Sequence, residues 1–114
     1  MQLKTPESPI TRKRELDDAL TSRDEVFVLF YASWCPFSRK FLPVFEKAAA
    51  GKEGFVRVQD DQETLSDPYH VQIYPTVLFF RKGEVSKRLD GMPRVGLNET
   101  LLNDFIRDCR PAQR

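Results

Sequence analysis

The chain has 114 residues, 40% of them hydrophobic and 31% charged, and its eighteen basic and seventeen acidic side chains leave a formal net charge of +1. That length suits one domain around a single core, and that composition is ordinary for a water-soluble globular protein. The balanced charge offers no basic face to nucleic acid or anionic lipid, so neither is expected as a partner.

No stretch approaches the ~20 apolar residues of a membrane span, and Met1 to Pro9 lacks the apolar centre of a signal peptide. A cytoplasmic setting is therefore expected, though a domain excised from a secreted parent would read the same way. The cysteines are Cys35 and Cys109, and the one histidine is His70. These are too few for a disulfide scaffold or a four-ligand zinc site, and no metal or resident cofactor is expected.

In chain order, residues 1–8 are polar and proline-bearing and read as a loose leader, 9–110 as the folded domain, and 111–114 as a tail. Ser8 or Thr11 is placed to cap a first helix running to about Ser22, with Leu16, Ala19 and Leu20 as its buried stripe. Arg12, Lys13 and Arg14 are followed at once by Glu15, Asp17 and Asp18, the pattern of a solvated helix face rather than a basic patch. Val26 to Tyr31 is an unbroken apolar run rich in β-branched and aromatic residues, as in a central strand covered on both faces.

Trp34-Cys35-Pro36-Phe37-Ser38 then places a cysteine at a strand-to-helix junction. The free N–H groups and dipole of a helix N-terminus favour an anion, which gives a thiol there thiolate character. Phe41, Leu42, Val44, Phe45 and Ala48 or Ala49 continue at helical spacing, with Pro43 expected to kink the helix and Gly51 and Gly54 to end it. A second strand is expected at Phe55–Val58, followed by an acidic loop, Asp60-Asp61, and a short helical segment from Glu63 to His70 interrupted by Pro68. Thr76–Phe80 and Val85–Leu89 flank Lys82-Gly83 as a hairpin. Asn98 caps a last helix with Leu101, Leu102, Phe105, Ile106 and Cys109 on one face. This order predicts an α/β domain: a central mixed sheet of about four strands with helices on both faces.

With these elements in place the chain resembles the thioredoxin fold, and within it protein disulfide isomerase domains. The residues that carry the likeness are Phe30-Tyr31-Ala32 and Trp34-Cys35 before the helix, and Pro43 within it. Tyr69-x-Val71, Tyr74-Pro75-Thr76, Phe79-Phe80-x-x-Gly83 and Gly91 follow. The resemblance implies a cis Tyr74–Pro75 bond in a loop packed beside Cys35. Tyr74 and Pro75 would shape the edge for an extended substrate peptide, with Trp34, Pro36 and Phe37 flanking it.

Two departures from the family pattern limit the chemistry. Ser38 stands where dithiol members carry a second cysteine, and Leu29 stands where many members bury an acid that helps deprotonate that second thiol. Without the second thiol, the acid would be a costly buried charge with nothing to act on.

The site that remains can begin disulfide exchange, in which a thiolate attacks a disulfide sulfur to give a mixed disulfide. The amides of the Phe37–Ser38–Arg39 turn and the Ser38 hydroxyl are expected to support the Cys35 thiolate, and Arg39 and Lys40 add positive potential. Ser38 cannot resolve the product, so release needs glutathione or another small thiol, a substrate thiol or a reductase partner. Protein clients bearing cysteines or disulfides, and a monomeric state, are expected. Cys109 reads as a buried structural thiol and His70 as a surface loop residue. Two further readings stay open: a non-catalytic module that retains peptides on the Trp34, Phe37 and Tyr74 surface, and a dithiol thioredoxin carrying a Cys-to-Ser substitution at Ser38.

Overall fold

The computed structural model describes residues 9–110, so the leader at 1–8, with the Ser8 cap, and the tail at 111–114 lie outside the described residues. The elements are α1 (Lys13–Thr21), β1 (Glu25–Tyr31), α2 (Pro36–Ala49), β2 (Phe55–Gln59), β3 (Thr76–Arg81), β4 (Glu84–Leu89) and α3 (Glu99–Cys109). The four strands form one sheet in the order β2-β1-β3-β4. β1 runs parallel to β2 and antiparallel to β3, and β3 is antiparallel to β4. This is a mixed sheet of the thioredoxin type.

β1 lies inside the sheet, and every residue from Val26 to Tyr31 is buried. The period of two divides those residues between two cores. Phe27, Leu29 and Tyr31 join Phe55, Val77 and Phe79 beneath α2 and α3, which supply Phe41, Phe45, Leu102 and Phe105. Val26, Val28 and Phe30 join Val58, Leu78 and Phe80 on the other face, beneath Leu16 and Leu20 of α1. Phe27 is at the centre of the first core, with ring centroids 4.9 Å from Phe55, 4.7 Å from Phe79 and 6.0 Å from Phe105.

Local chemistry explains most of the boundaries. The Asn98 side chain accepts the Leu101 N–H at 2.8 Å and starts α3. Lys82 and Gly83 both have positive φ, 54° and 84°, as a two-residue hairpin turn that follows the sheet twist requires. α2 continues through Pro43 to Ala49, because a proline removes one donor and a helix packed on a core tolerates that loss.

Two expectations are corrected. α1 is capped at Arg12 rather than at Thr11, and the Glu15 carboxylate reaches back to the N–H groups of Thr11 (3.1 Å) and Arg12 (3.3 Å). The segment from Glu63 to His70 contains only a 3-10 turn at Asp67–Tyr69, in which Pro68 takes part instead of interrupting it. The sheet also extends by one residue beyond β2, where Ile10 bridges Val58.

The register decides where the site forms. Tyr31 at the end of β1 lies beside Gln59 at the end of β2. Phe30 lies beside Thr76 at the start of β3, and Val77 beside Leu89 at the end of β4. The segments after β1, after β2, before β3 and after β4 therefore meet at one end of the sheet, outside the carboxyl ends of its parallel strands.

Replacing Phe27 by alanine removes the ring on which three others pack, and should cost about 3–5 kcal/mol of unfolding free energy. Asn98→Ala, which removes one capping bond, should cost about 1 kcal/mol. Urea denaturation monitored by tryptophan fluorescence would measure both; equal losses would contradict this description of the core.

Candidate active site

Cys35 is the N-cap residue of α2 and is half-buried, with Pro36 at the first helical position. Its carbonyl accepts the Arg39 N–H at 3.0 Å. Of the three amides expected to support the sulfur, that of Arg39 is thus engaged in the helix, whereas those of Phe37 and Ser38 belong to the first turn, which has no preceding carbonyls to bond. The thiol is 3.8 Å from the Tyr74 carbonyl oxygen, as donor to acceptor. The Tyr74–Pro75 peptide bond is cis, and Pro75 is buried.

Ser38 is fully buried one helical turn on from Cys35, and its hydroxyl oxygen accepts the Ala32 N–H at 3.2 Å. This bond joins the first turn of α2 to the end of β1. Leu29 is equally buried, within the apolar cluster beneath α2 and α3.

The Asp60-Asp61 loop turns out to organise the site. Asp60 is 2% exposed, and its carboxylate accepts the N–H groups of Thr64, Leu65 and Ser66, the Ser66 hydroxyl at 2.8 Å and the Tyr74 phenol at 2.9 Å. Burial alone would push its pKa up; the donors from Leu65, Ser66 and Tyr74 outweigh that and hold it below the ordinary carboxylate range. Tyr74 in turn is kept protonated, by burial above all and by the charge of Asp60. Asp61 accepts the Ser33 N–H and hydroxyl, both at 2.7 Å, and Gln59 Nε2 at 2.9 Å. Its pKa is lowered chiefly by the Ser33 N–H. The Asp61 carbonyl accepts the Trp34 indole N–H at 3.0 Å. Two adjacent residues thus hold the thiol loop on one side and the cis-proline loop on the other.

Between those loops is a cleft of about 170 Å³ lined by Trp34, Cys35, Glu63, Val71, Gln72 and Tyr74. It is large enough for one side chain of a bound segment. A larger cavity of about 280 Å³, between Phe45, Ala49, Phe55 and Arg57, lies under the far part of α2 and contains no thiol. Exposed apolar side chains stand on the segments that meet here: Trp34 is 53% exposed and Phe37 37%, and on the segment after β4 Met92 is 45% and Val95 60% exposed. The segment after β4 that carries Met92 and Val95 lies close to both loops. A Cβ on Gly91 would come within 2.4 Å of the Pro75 carbonyl oxygen, and one on Gly96 within 3.0 Å of Phe37.

Cys109 is buried at the other end of the sheet, where its neighbour Arg110 lies 3.6 Å from Glu25 at the start of β1. Burial pushes its thiol up to about 11. The seven-residue β1 separates it from Cys35 by about 20 Å. His70 is exposed, with its carbonyl bound by Arg88 at 3.1 Å.

The thioredoxin family model matches residues 7–106. The chain belongs to the thioredoxin family. It is 40% identical over 96 residues to a thioredoxin of Mycoplasmoides gallisepticum, a match covering 81% of this chain and 96% of that protein. It is 37% identical over 83 residues to endoplasmic reticulum resident protein 44 of Bos taurus, covering 64% of this chain but only 20% of that protein. Among solved structures, a mutant thioredoxin from Halobacterium salinarum superposes with a TM-score of 0.73 at 30% identity, covering 94% of this chain and 95% of that one. Human ERp44 superposes at 0.69 and 27% identity, covering 95% of this chain and 30% of that one.

Within this thioredoxin domain, the structure brings together every site residue marked in the sequence: Trp34, Cys35, Pro36, Phe37 and Ser38 on one side, Tyr74 and Pro75 on the other. Sequence reasoning missed Asp60, Asp61, Met92 and Val95. The available signal was an acid directly after a strand, followed by Thr64 and Ser66, the arrangement in which a carboxylate caps the turn that follows it.

Asp60→Asn should cost about 2–3 kcal/mol at pH 7, since it weakens several bonds to a charged acceptor. Asp60 has a depressed folded pKa, so its contribution is complete above the unfolded value of about 3.9 and is lost as pH falls through the folded value. The stability gap between wild type and variant should therefore narrow below about pH 4 in urea titrations. A gap that stays constant or widens there would show that the ionised carboxylate is not what holds the loops.

Proposed function

We propose that this domain carries out thiol–disulfide exchange with one cysteine. The observation that carries the reading is the pairing of Cys35, half-buried at the N-terminus of α2 and facing the cis Tyr74–Pro75 loop, with a fully buried Ser38 in the second position. The Cys35 thiolate attacks a partner disulfide, R–S–S–R′. A bond forms between the Cys35 sulfur and R–S, and R′–S⁻ leaves with the electron pair of the broken bond. Ser38 offers no sulfur to reverse this, and Cys109 is buried at the far end of the sheet. An outside thiolate must then attack the R sulfur, freeing Cys35 and forming a new disulfide.

The sum of the two steps moves disulfides without changing their number. That suits isomerisation of protein disulfides, transfer of small thiols such as glutathione off protein cysteines, and covalent retention of clients. Glutathione or a comparable thiol acts as co-substrate, with no resident cofactor. The likenesses to a thioredoxin and to endoplasmic reticulum resident protein 44 support this class of reaction. The chain spans about a fifth of the latter, so the activity of that whole protein is not carried over.

The exposed apolar side chains of Trp34, Phe37, Met92 and Val95 also suit noncovalent retention of an extended segment. Incubating the full chain with a peptide disulfide, followed by acid quench and intact mass measurement, should show one peptide adduct at Cys35. Cys35→Ser should lose that adduct, whereas Ser38→Cys should shorten its lifetime by orders of magnitude because resolution becomes intramolecular. Peptide binding that Cys35→Ser leaves unchanged, with no adduct on wild type, would favour the retention module instead.

A further inference from the structure

We infer that Glu63 gives the Cys35 cleft a preference for partner disulfides that carry positive charge beside the attacked sulfur, such as client segments with Lys or Arg next to the bridged cysteine. The inference rests on the exchange reading above and names the partner chemistry of the same site.

Three observations support it. Among the six residues lining the cleft, Glu63 is the one with a carboxylate side chain. It has no ion-pair partner among the described residues. Arg39 and Arg88 direct their guanidinium groups to other acceptors, the Ser33 carbonyl at 3.1 Å for the first and Asp90 with the carbonyls of Tyr69 and His70 for the second.

The second observation concerns the backbone. Glu63 has φ 60°, in the left-handed region that residues other than glycine enter rarely, and mostly as Asn or Asp. A long acidic side chain gains nothing locally from that conformation, and such outliers gather at functional sites. The loop is also fixed. The Glu63 N–H donates to the Asp60 carbonyl at 3.0 Å, and the next three amides go to the Asp60 carboxylate. Asp60 therefore fixes the backbone of the segment that brings Glu63 to the cleft.

Thirdly, Glu63 lines the same cleft as Tyr74, and its charge adds, as the least of several influences after burial and Asp60, to those that raise the Tyr74 phenol. A cationic group entering the cleft would meet one unpaired carboxylate; an anionic one would be repelled by it.

The test uses the full chain and three symmetrical disulfides: cystamine (cationic), bis(2-hydroxyethyl) disulfide (neutral) and 3,3′-dithiodipropionate (anionic). Each reacts as Cys35–S⁻ + R–S–S–R → Cys35–S–S–R + R–S⁻. Adduct formation is timed at low ionic strength by intact mass and located by peptide mapping. Every probe is compared with itself across variants, so differences between leaving groups cancel.

Glu63→Gln should slow cystamine about two- to five-fold, speed dithiodipropionate by a similar factor and leave the neutral probe unchanged. Glu63→Gly, which removes the charge and suits the positive φ, should match Glu63→Gln. Glu63→Lys should shift both charged probes further, and salt should compress all of these differences. Three probes moving together would reveal a structural effect and overturn the inference, as would three probes that do not move. If wild type forms an adduct with none of them, the exchange reading fails and this inference falls with it.

Discussion

The site depends on one buried carboxylate. Asp60 would be expensive to bury if its charge were unpaired, and it is tolerable only because three amides and two hydroxyls converge on it. Satisfying that charge fixes the loop after β2 and, through the Tyr74 phenol, the lip that faces the thiol. The next residue does the same for the opposite lip, with Asp61 holding Ser33 and the Trp34 indole. Cys35 and the cis-proline loop come from distant parts of the chain, and a single acidic dipeptide sets the gap between them. The sheet register makes this possible by delivering both segments and the Asp-Asp loop to one end.

The two departures from the dithiol pattern are consistent in physical terms. A second thiol in the place of Ser38 would benefit from a neighbouring base. In its absence, an acid at position 29 would be an unpaired charge inside a closely packed apolar cluster, and leucine fills that place at no such cost. The serine has a structural use as well, binding the Ala32 amide and so tying the start of α2 to β1. On the proposed reading, a helix-terminal thiol beside the Tyr74–Pro75 loop captures a partner, and release falls to an outside thiol.

Much of this was legible in the sequence, and the exceptions have specific causes. The run Val26–Tyr31 announced a central strand because both of its faces are buried, and Asn98 announced α3 because its cap is a local side-chain bond. Trp34-Cys35 and Tyr74-Pro75-Thr76 marked the site through their resemblance to a known family. The first helix begins after Arg12 rather than under a Thr11 cap, and the Glu15 carboxylate reaches back along the chain to bind the Thr11 and Arg12 N–H groups. The Glu63–His70 segment forms a single 3-10 turn rather than a longer helical stretch, because Asp60 takes the amides of Thr64, Leu65 and Ser66 into a capped loop. Met92 and Val95 carry no motif. The segment that carries them comes close to the site because Gly91 and Gly96 let it approach Pro75 and Phe37, a tertiary fact that no local pattern encodes.

The claim that capture and release are divided between this chain and an outside thiol is tested most directly by the lifetime of a purified Cys35–peptide mixed disulfide. Its decay should be first order in added glutathione and extrapolate to no measurable rate at zero thiol. A substantial thiol-independent rate, with the peptide released as a free thiol and an oxidised protein left behind, would show that the chain resolves the bond by itself and would contradict the one-cysteine mechanism.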